Sequence, residues 1–420
     1  MTSLRIKPST LQGELTIPPS KSHTLRALVF AMMAKSKTVI YDYLDSPDTI
    51  AMGRALSHFG SKVTFTEKRI EVEPAFQPSN NVINAANSGQ VLRFIGALAA
   101  LQPTYTLLTG DRSICYNRPV KPLLEGLEQL GAFAASSRGD GFAPIIIRGP
   151  MKAGKTALDG KDSQPVSGLL IAAAFLEGTS EISVRNPGEK PWIDLTLHWF
   201  DKLGIRYKNE NYAHYTLYGN TSYPGFEMQI PGDFSSAAFP IVGALITHSE
   251  LTLHSLDMRD VQGDKKLIDL LIRMGAKIEV QGTTLTVRKS SRLIGTKIDV
   301  NDLIDALPIL AVVGCYAEGI TEIINGEIAR RKESDRIHAI ATELQKMGAR
   351  IEEKKEGLLI HSSSLHGAKL ASYNDHRIAL SLAIAALGAK GESEIEGIQC
   401  IAKTYPHFIQ DFQAIGARFL

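Results

Sequence analysis

One motif recurs six times along this 420-residue chain, and it restricts the possible folds more than any other feature. An amphipathic stretch closes on Leu-x-x-Gly, or a near variant, and a short strand-like run follows. The copies are LSHFGSKVTF (56–65), LEQLGAFAAS (127–136), FDKLGIRYKN (200–209), LIRMGAKIEV (271–280), LQKMGARIEE (344–353) and FQAIGARF (412–419). Their glycines, Gly60, Gly131, Gly204, Gly275, Gly348 and Gly416, lie about 70 residues apart, a period that marks a repeated folding unit. Each glycine sits where a helix needs a left-handed residue just past its end, and the alternation after it predicts a strand.

A second element stands earlier in each unit: a strand-like segment, a small polar cluster, then an Ala/Leu-rich helix. The copies are GELTIPPSKSHTLRALVFAMMA, NVINAANSGQVLRFIGALAA, KTALDGKDSQPVSGLLIAAAF, FEMQIPGDFSSAAFPIVGALI, TKIDVNDLIDALPILAVVG and AKLASYNDHRIALSLAIAALG. Their composition predicts buried helices packed on sheet. Internal β-rich pieces such as FTEKRIEVEP and YTLLTGD favour α/β units over an all-helical array, and FQPSNN (76–81) and GNTSYPG (219–225) read as turn-rich loops. The helix starts also carry Lys21, Arg26, Arg93 and Arg377. A cation beside the positive end of a helix dipole costs energy unless an anion compensates.

Composition excludes several classes of function. Lys plus Arg (46) nearly cancels Asp plus Glu (44), for a net charge of +2, so neither a nucleic-acid footprint nor a polybasic membrane anchor is expected. SGLLIAAAFL (167–176) and ALPILAVVGCYA (306–317) are shorter than the roughly 20 residues of a membrane helix. The N-terminus lacks an apolar signal core, and a soluble cytoplasmic protein is the simplest reading. Three scattered cysteines make no disulfide framework, and the 11 histidines show no ligand spacing, so no metal is expected. Phosphate-loop, dinucleotide and serine-nucleophile motifs are absent.

The remaining signal lies in the charged clusters. Lys21, Arg118, Lys332, Arg336, Arg377 and Lys403 recur at helix starts or loops in matching regions of the repeats. In a chain of near-zero net charge they point to small ligands bearing several phosphates or carboxylates. Asp305 and Glu333, set among these cations, suit proton transfer better than anion binding.

These same residues carry a resemblance that spans the chain. PSKSHTLRA (19–27), LDSPDT (44–49), NSG (87–89), NRP (117–119), DSQ (162–164), KPWID (190–194), GDFSSAAF (232–239), QGD (262–264), KESDR (332–336), YNDHR (373–377) and AKTYP (402–406) resemble the 5-enolpyruvylshikimate-3-phosphate synthase family. The resemblance implies a two-domain enolpyruvyl transferase fold of the inside-out α/β barrel type, with six βαβαββ repeats, three per domain. One domain would be 20–229, with most of the shikimate 3-phosphate site; the other, 1–19 with 230–420, would close the cleft. The implied reaction moves the enolpyruvyl group of phosphoenolpyruvate to the 5-hydroxyl of shikimate 3-phosphate through a tetrahedral intermediate. Phosphate leaves, no cofactor is used, and a monomer is expected.

By resemblance, Lys21, Ser22, Arg26, Ser163, Gln164, Asp305 and Lys332 bind shikimate 3-phosphate. Lys21, Gly89, Arg118, Gln164, Arg336, Arg377 and Lys403 bind phosphoenolpyruvate, and Asp305, Glu333 and Lys21 are catalytic. The chain departs from the family at Ala86 and Gln90 (usually Gly and Thr), Phe94 (Pro), Asp162 and Glu189 (Ser) and Trp192 (Tyr). Asp162 would bring a like charge towards the sugar phosphate unless it points away. The related transferase acting on UDP-N-acetylglucosamine uses a loop cysteine, which Cys115 superficially matches. That family carries Lys-Asn where this chain has Lys21-Ser22, and it lacks KESDR and NDHR. A non-catalytic polyanion binder would leave Asp305 and Glu333 without a purpose.

Overall fold

The computed structural model describes residues 3–78, 82–290 and 292–420; the end of the FQPSNN stretch, 79–81, lies outside the described residues. The chain divides into two compact units, Pro19–Ile230 and Pro231–Leu420 with the residues up to Pro18. Each contains three four-stranded sheets built to one plan. In one of them Lys155–Asp159 runs parallel to Ser180–Arg185, which pairs antiparallel with His214–Leu217, itself antiparallel to Tyr207–Glu210. The parallel step needs a crossover, supplied by the helix Ser163–Ala173, whereas the antiparallel pair closes through a tight hairpin.

The six repeat glycines all adopt φ between +68° and +107°. They end the second helix of each repeat in the left-handed conformation that a β-carbon disfavours. The strand-forming runs after them are the outer strands of the six sheets.

The first strands of two repeats are exchanged. GELTI heads the first repeat in sequence, yet Gln12–Thr16 pairs parallel with Glu250–His254. FEMQI heads the fourth, yet Glu227–Gln229 pairs parallel with Thr38–Tyr41. Ser3–Lys7 completes the last sheet beside Ser393–Glu396 and Arg418–Phe419. Each unit is thereby closed on itself by a strand from the far end of its own sequence.

The Ala/Leu-rich helices occupy the centre of each unit. Every residue of Gly89–Ala99 and of Phe234–Ile246 is buried, and in Lys21–Met32 only Lys21 is not. Sheets cover these helices and keep one face outward, as in Ser180–Arg185, where buried and more exposed positions alternate. Among the described residues no helix is long and apolar enough to cross a membrane.

Helices Gly89–Ala99 and Ser163–Ala173 approach so closely that a β-carbon on Gly168 would stand 2.8 Å from the Arg93 carbonyl oxygen. Nothing lies within 4 Å of the corresponding point on Gly204. Gly168→Ala should therefore cost about 1–3 kcal/mol through overpacking. Gly204→Ala should cost about 1 kcal/mol through backbone strain alone. Urea unfolding of both variants checks this; a Gly168→Ala midpoint equal to wild type would contradict the close approach.

Candidate functional site

In the unit Pro19–Ile230, three buried helices bring their N-terminal ends together. Lys21 opens the helix that Ser20 caps, and its Nζ lies 3.7 Å from Asp48 Oδ2. Gln90, in the first turn of the next helix, donates from Nε2 to Ser22 Oγ at 3.3 Å. Phe94, one turn on, places its ring 5.2 Å from the Arg26 guanidinium. The departures at 90 and 94 thus clasp Ser22 and Arg26.

Arg26 is almost wholly buried, with only 1% of its surface reaching solvent. It donates from Nε to Thr196 Oγ1 (3.0 Å), from Nη1 to the Ser22 carbonyl (3.3 Å) and from Nη2 to the Trp192 carbonyl (3.0 Å). All three acceptors are neutral, and no carboxylate pairs with it among the described residues. Burial pushes the guanidinium down to about 9, which leaves it charged at neutral pH. Two of its five N–H groups remain for a further acceptor.

Gly89, Arg118 and Gln164 converge. A β-carbon on Gly89 would meet Arg93 Nη1 at 2.7 Å, Gln164 Oε1 at 2.8 Å and Arg118 Nη1 at 2.9 Å. A side chain at 89 would have to displace these side-chain tips. Arg118 donates to Ser113 Oγ and Asn87 Oδ1, each at 3.2 Å, and Asn87 in turn donates to Asp111. The sequence suggests a loop before Arg118, but residues Arg112–Tyr116 form a short helix capped by Asp111. Cys115 is buried in that helix.

The third helix start departs from expectation. Ser163 donates from both its backbone N–H and its Oγ to Glu189 Oε2, at 2.9 Å each. Asp162 accepts from the Gln164 N–H at 3.0 Å and lies 3.1 Å from Arg93 Nη2. The charge at 162 therefore serves as a helix cap and ion-pair partner.

In the other unit the cations are ringed by acids. Arg336, 1% exposed, donates to Asp375 Oδ2 (2.8 Å), Asp305 Oδ1 (2.8 Å) and Glu333 Oε2 (2.7 Å). Burial opposes its charge, but Asp375, Glu333 and Asp305 together reverse that and hold it above the usual arginine range. Lys403, at the end of a 3-10 turn where a loop is expected, donates to Glu333 Oε1 at 2.7 Å. Arg377 donates to the Ser235 carbonyl at 3.1 Å and lies 3.6 Å from Asp305 Oδ2, while its buried Nε finds no hydrogen-bond partner among the described residues. Lys332 stands half-buried just before this cluster, after the turn Glu327–Arg331. Arg330 belongs to a different network, with Asp335 and Glu353 at 2.8 Å each.

Within their own units, the structure thus gathers Ser22 with Arg26, Gly89 with Arg118 and Gln164, and Asp305 with Glu333, Arg336, Arg377 and Lys403. Sequence reasoning missed Asp375 and Asp264, although both lie inside quoted motifs. Asp264 accepts a hydrogen bond from Ser235 Oγ, and its buried Oδ1 has no partner among the described residues. Burial first, then the charge of Asp305, pushes it up to about 7. A raised carboxyl favours the folded state while protonated. Its contribution is complete below about pH 4 and lost as pH rises through 7. Asp264→Asn, which cannot ionise, should therefore gain stability relative to wild type between about pH 4 and 8. Thermal midpoints that differ by a constant amount across that range would contradict it.

Comparisons with known proteins agree along the whole length. The protein is 42% identical over 417 residues to a 3-phosphoshikimate 1-carboxyvinyltransferase of Acetivibrio thermocellus, covering 99% of this chain and 98% of the relative. It is 41% identical over 422 residues to that of Chlamydia caviae, covering 99% and 94%. A solved EPSP synthase from Acinetobacter baumannii superposes with a TM-score of 0.82 at 25% identity, covering 100% of both chains. The sequence model of EPSP synthase (3-phosphoshikimate 1-carboxyvinyltransferase) matches residues 6–412, and the chain belongs to that family.

Proposed function

We propose that this protein carries out its family's reaction with the side chains placed above. It transfers the enolpyruvyl group of phosphoenolpyruvate to shikimate 3-phosphate, a step of the shikimate pathway. The observation that carries the residue assignment is Arg26: a buried cation held only by neutral oxygens, with two donors to spare, calls for an external anion. The ring carboxylate of shikimate 3-phosphate takes that place beside Ser22. Its phosphate goes to Ser163 and Lys332, with Gln164 against the ring and Asp305 at the 5-hydroxyl. The anionic groups of phosphoenolpyruvate go to Lys21, Gly89, Arg118 and Gln164, and to Arg336, Arg377 and Lys403. The unpartnered Nε of Arg377 supports the last assignment.

The chemistry then runs on side chains alone. A proton delivered to C3 of phosphoenolpyruvate leaves C2 cationic. The 5-hydroxyl oxygen bonds to C2 while its proton passes to Asp305, giving a tetrahedral ketal. Loss of a C3 proton and of the C2–O bond to phosphate restores the double bond and expels inorganic phosphate. Glu333 or Lys21 is the proton donor. Glu333 holds Lys403 and Arg336, one on each oxygen, so an anionic substrate competing for those cations frees it for proton transfer. We place the protein in the cytoplasm, acting as a monomer on these two small substrates.

A phosphate-release assay tests the reaction directly: turnover should require shikimate 3-phosphate and be absent with UDP-N-acetylglucosamine. Arg118→Ala should weaken phosphoenolpyruvate binding by about 2–5 kcal/mol while sparing shikimate 3-phosphate. Calorimetry giving unchanged phosphoenolpyruvate affinity, measured with the first substrate present, would defeat the assignment. Glu333→Gln should lower turnover by roughly 10²–10⁴-fold with modest change in affinity. Near-normal turnover would leave Glu333 as a partner that merely holds Lys403 and Arg336.

A further inference from the structure

The helix Ser163–Ala173 already holds an anion at its N-terminus. Glu189 Oε2 accepts both hydrogen bonds that Ser163 has to give, from N–H and Oγ. The carboxylate arrives at some cost. Glu189 is 1% exposed and adopts φ +46°, ψ +40°, a left-handed conformation that strains any residue with a β-carbon. Simple capping does not require it, because Asp162 already caps the same helix through the Gln164 N–H. The carboxylate is also delivered on a rigid arm. Gly188 N–H donates to the Gly160 carbonyl at 3.0 Å, and Gly160 N–H to the Arg185 carbonyl at 2.7 Å. A β-carbon on Gly160 would stand 2.2 Å from Val184. The two loops are thus tied backbone to backbone, which fixes where the Glu189 side chain starts.

We infer that Glu189 is the specificity-determining residue at the sugar-phosphate end, a resident carboxylate that competes with the substrate phosphate for Ser163. This rests on the proposed place of that phosphate at Ser163. Two anions cannot both take the same two donors, and at such close range their charges repel in a poorly hydrated setting. Shikimate 3-phosphate binds only by turning the Glu189 side chain off the helix start, whereas a ligand without the phosphate leaves it in place. Glu189 thereby sets the ratio of affinities for shikimate 3-phosphate and shikimate, independently of the carboxylate end at Arg26.

Calorimetry on the full-length protein separates the possibilities, with shikimate 3-phosphate and shikimate as ligands. Glu189→Ser and Glu189→Gln should each tighten shikimate 3-phosphate by at least about tenfold and change shikimate by less than about twofold. The Gln variant keeps an acceptor for both Ser163 bonds, so it isolates charge and preserves the loop if Ser does not; thermal midpoints verify folding. Unchanged or weaker shikimate 3-phosphate binding in the folded variants would overturn the inference. Ser163→Ala, alone and with Glu189→Ser, distinguishes the two layers of the argument. If it weakens shikimate 3-phosphate binding while the Glu189 variants fail to tighten it, only the competition is wrong. If it changes nothing in either background, the phosphate does not sit at Ser163 and both readings fall.

Discussion

Each unit is built around helices so apolar that they must lie at its centre, and that burial forces their N-terminal ends together. A helix start exposes unsatisfied N–H groups and a positive dipole end, so several meeting at one point make a strongly anion-seeking place. In the unit Pro19–Ile230 the meeting is visible in the bonds from Gln90 to Ser22 and from Arg93 to Gln164. In the other unit Arg377, near the start of one central helix, donates to the carbonyl of Ser235, near the start of another. The positions of the charged side chains follow from this packing.

The two units resolve the same electrostatic problem differently. One surrounds Arg336 with Asp375, Asp305 and Glu333, so its cations and acids form a coupled network suited to moving protons. The other leaves Arg26 among neutral oxygens, the setting on which its proposed role as a carboxylate receptor rests. The contrast explains why the proposed acid and base residues, apart from Lys21, cluster in the unit rich in carboxylates.

Much of the fold was legible because a left-handed helix end demands glycine, and six such glycines at one period announce six like units. The exchange of Gln12–Thr16 and Glu227–Gln229 between repeats was not readable from periodicity. The two strands have equivalent patterns, and pairing partners depend on how each unit closes. Among the site residues, cations at helix starts stood out because they contradict ordinary capping. Asp375 and Asp264 did not, since an acid beside a helix start looks like a cap; only burial and, for Asp375, the bond from Arg336 reveal their larger role. Glu189 was visible as a departure, but its grip on Ser163 depends on a backbone conformation that sequence does not signal.

In the proposed complex, buried Arg26, which has no carboxylate partner among the described residues, and the helix start at Ser163 receive the two anionic ends of one substrate. A crystal structure of the complex with shikimate 3-phosphate tests it most directly. The expected complex has the ring carboxylate within hydrogen-bond reach of the Arg26 guanidinium and the phosphate on Ser163, with the Glu189 carboxylate turned away. A complex in which the carboxylate binds elsewhere, Arg26 keeps only its bonds to Thr196, Ser22 and Trp192, and Glu189 stays on Ser163 would contradict it.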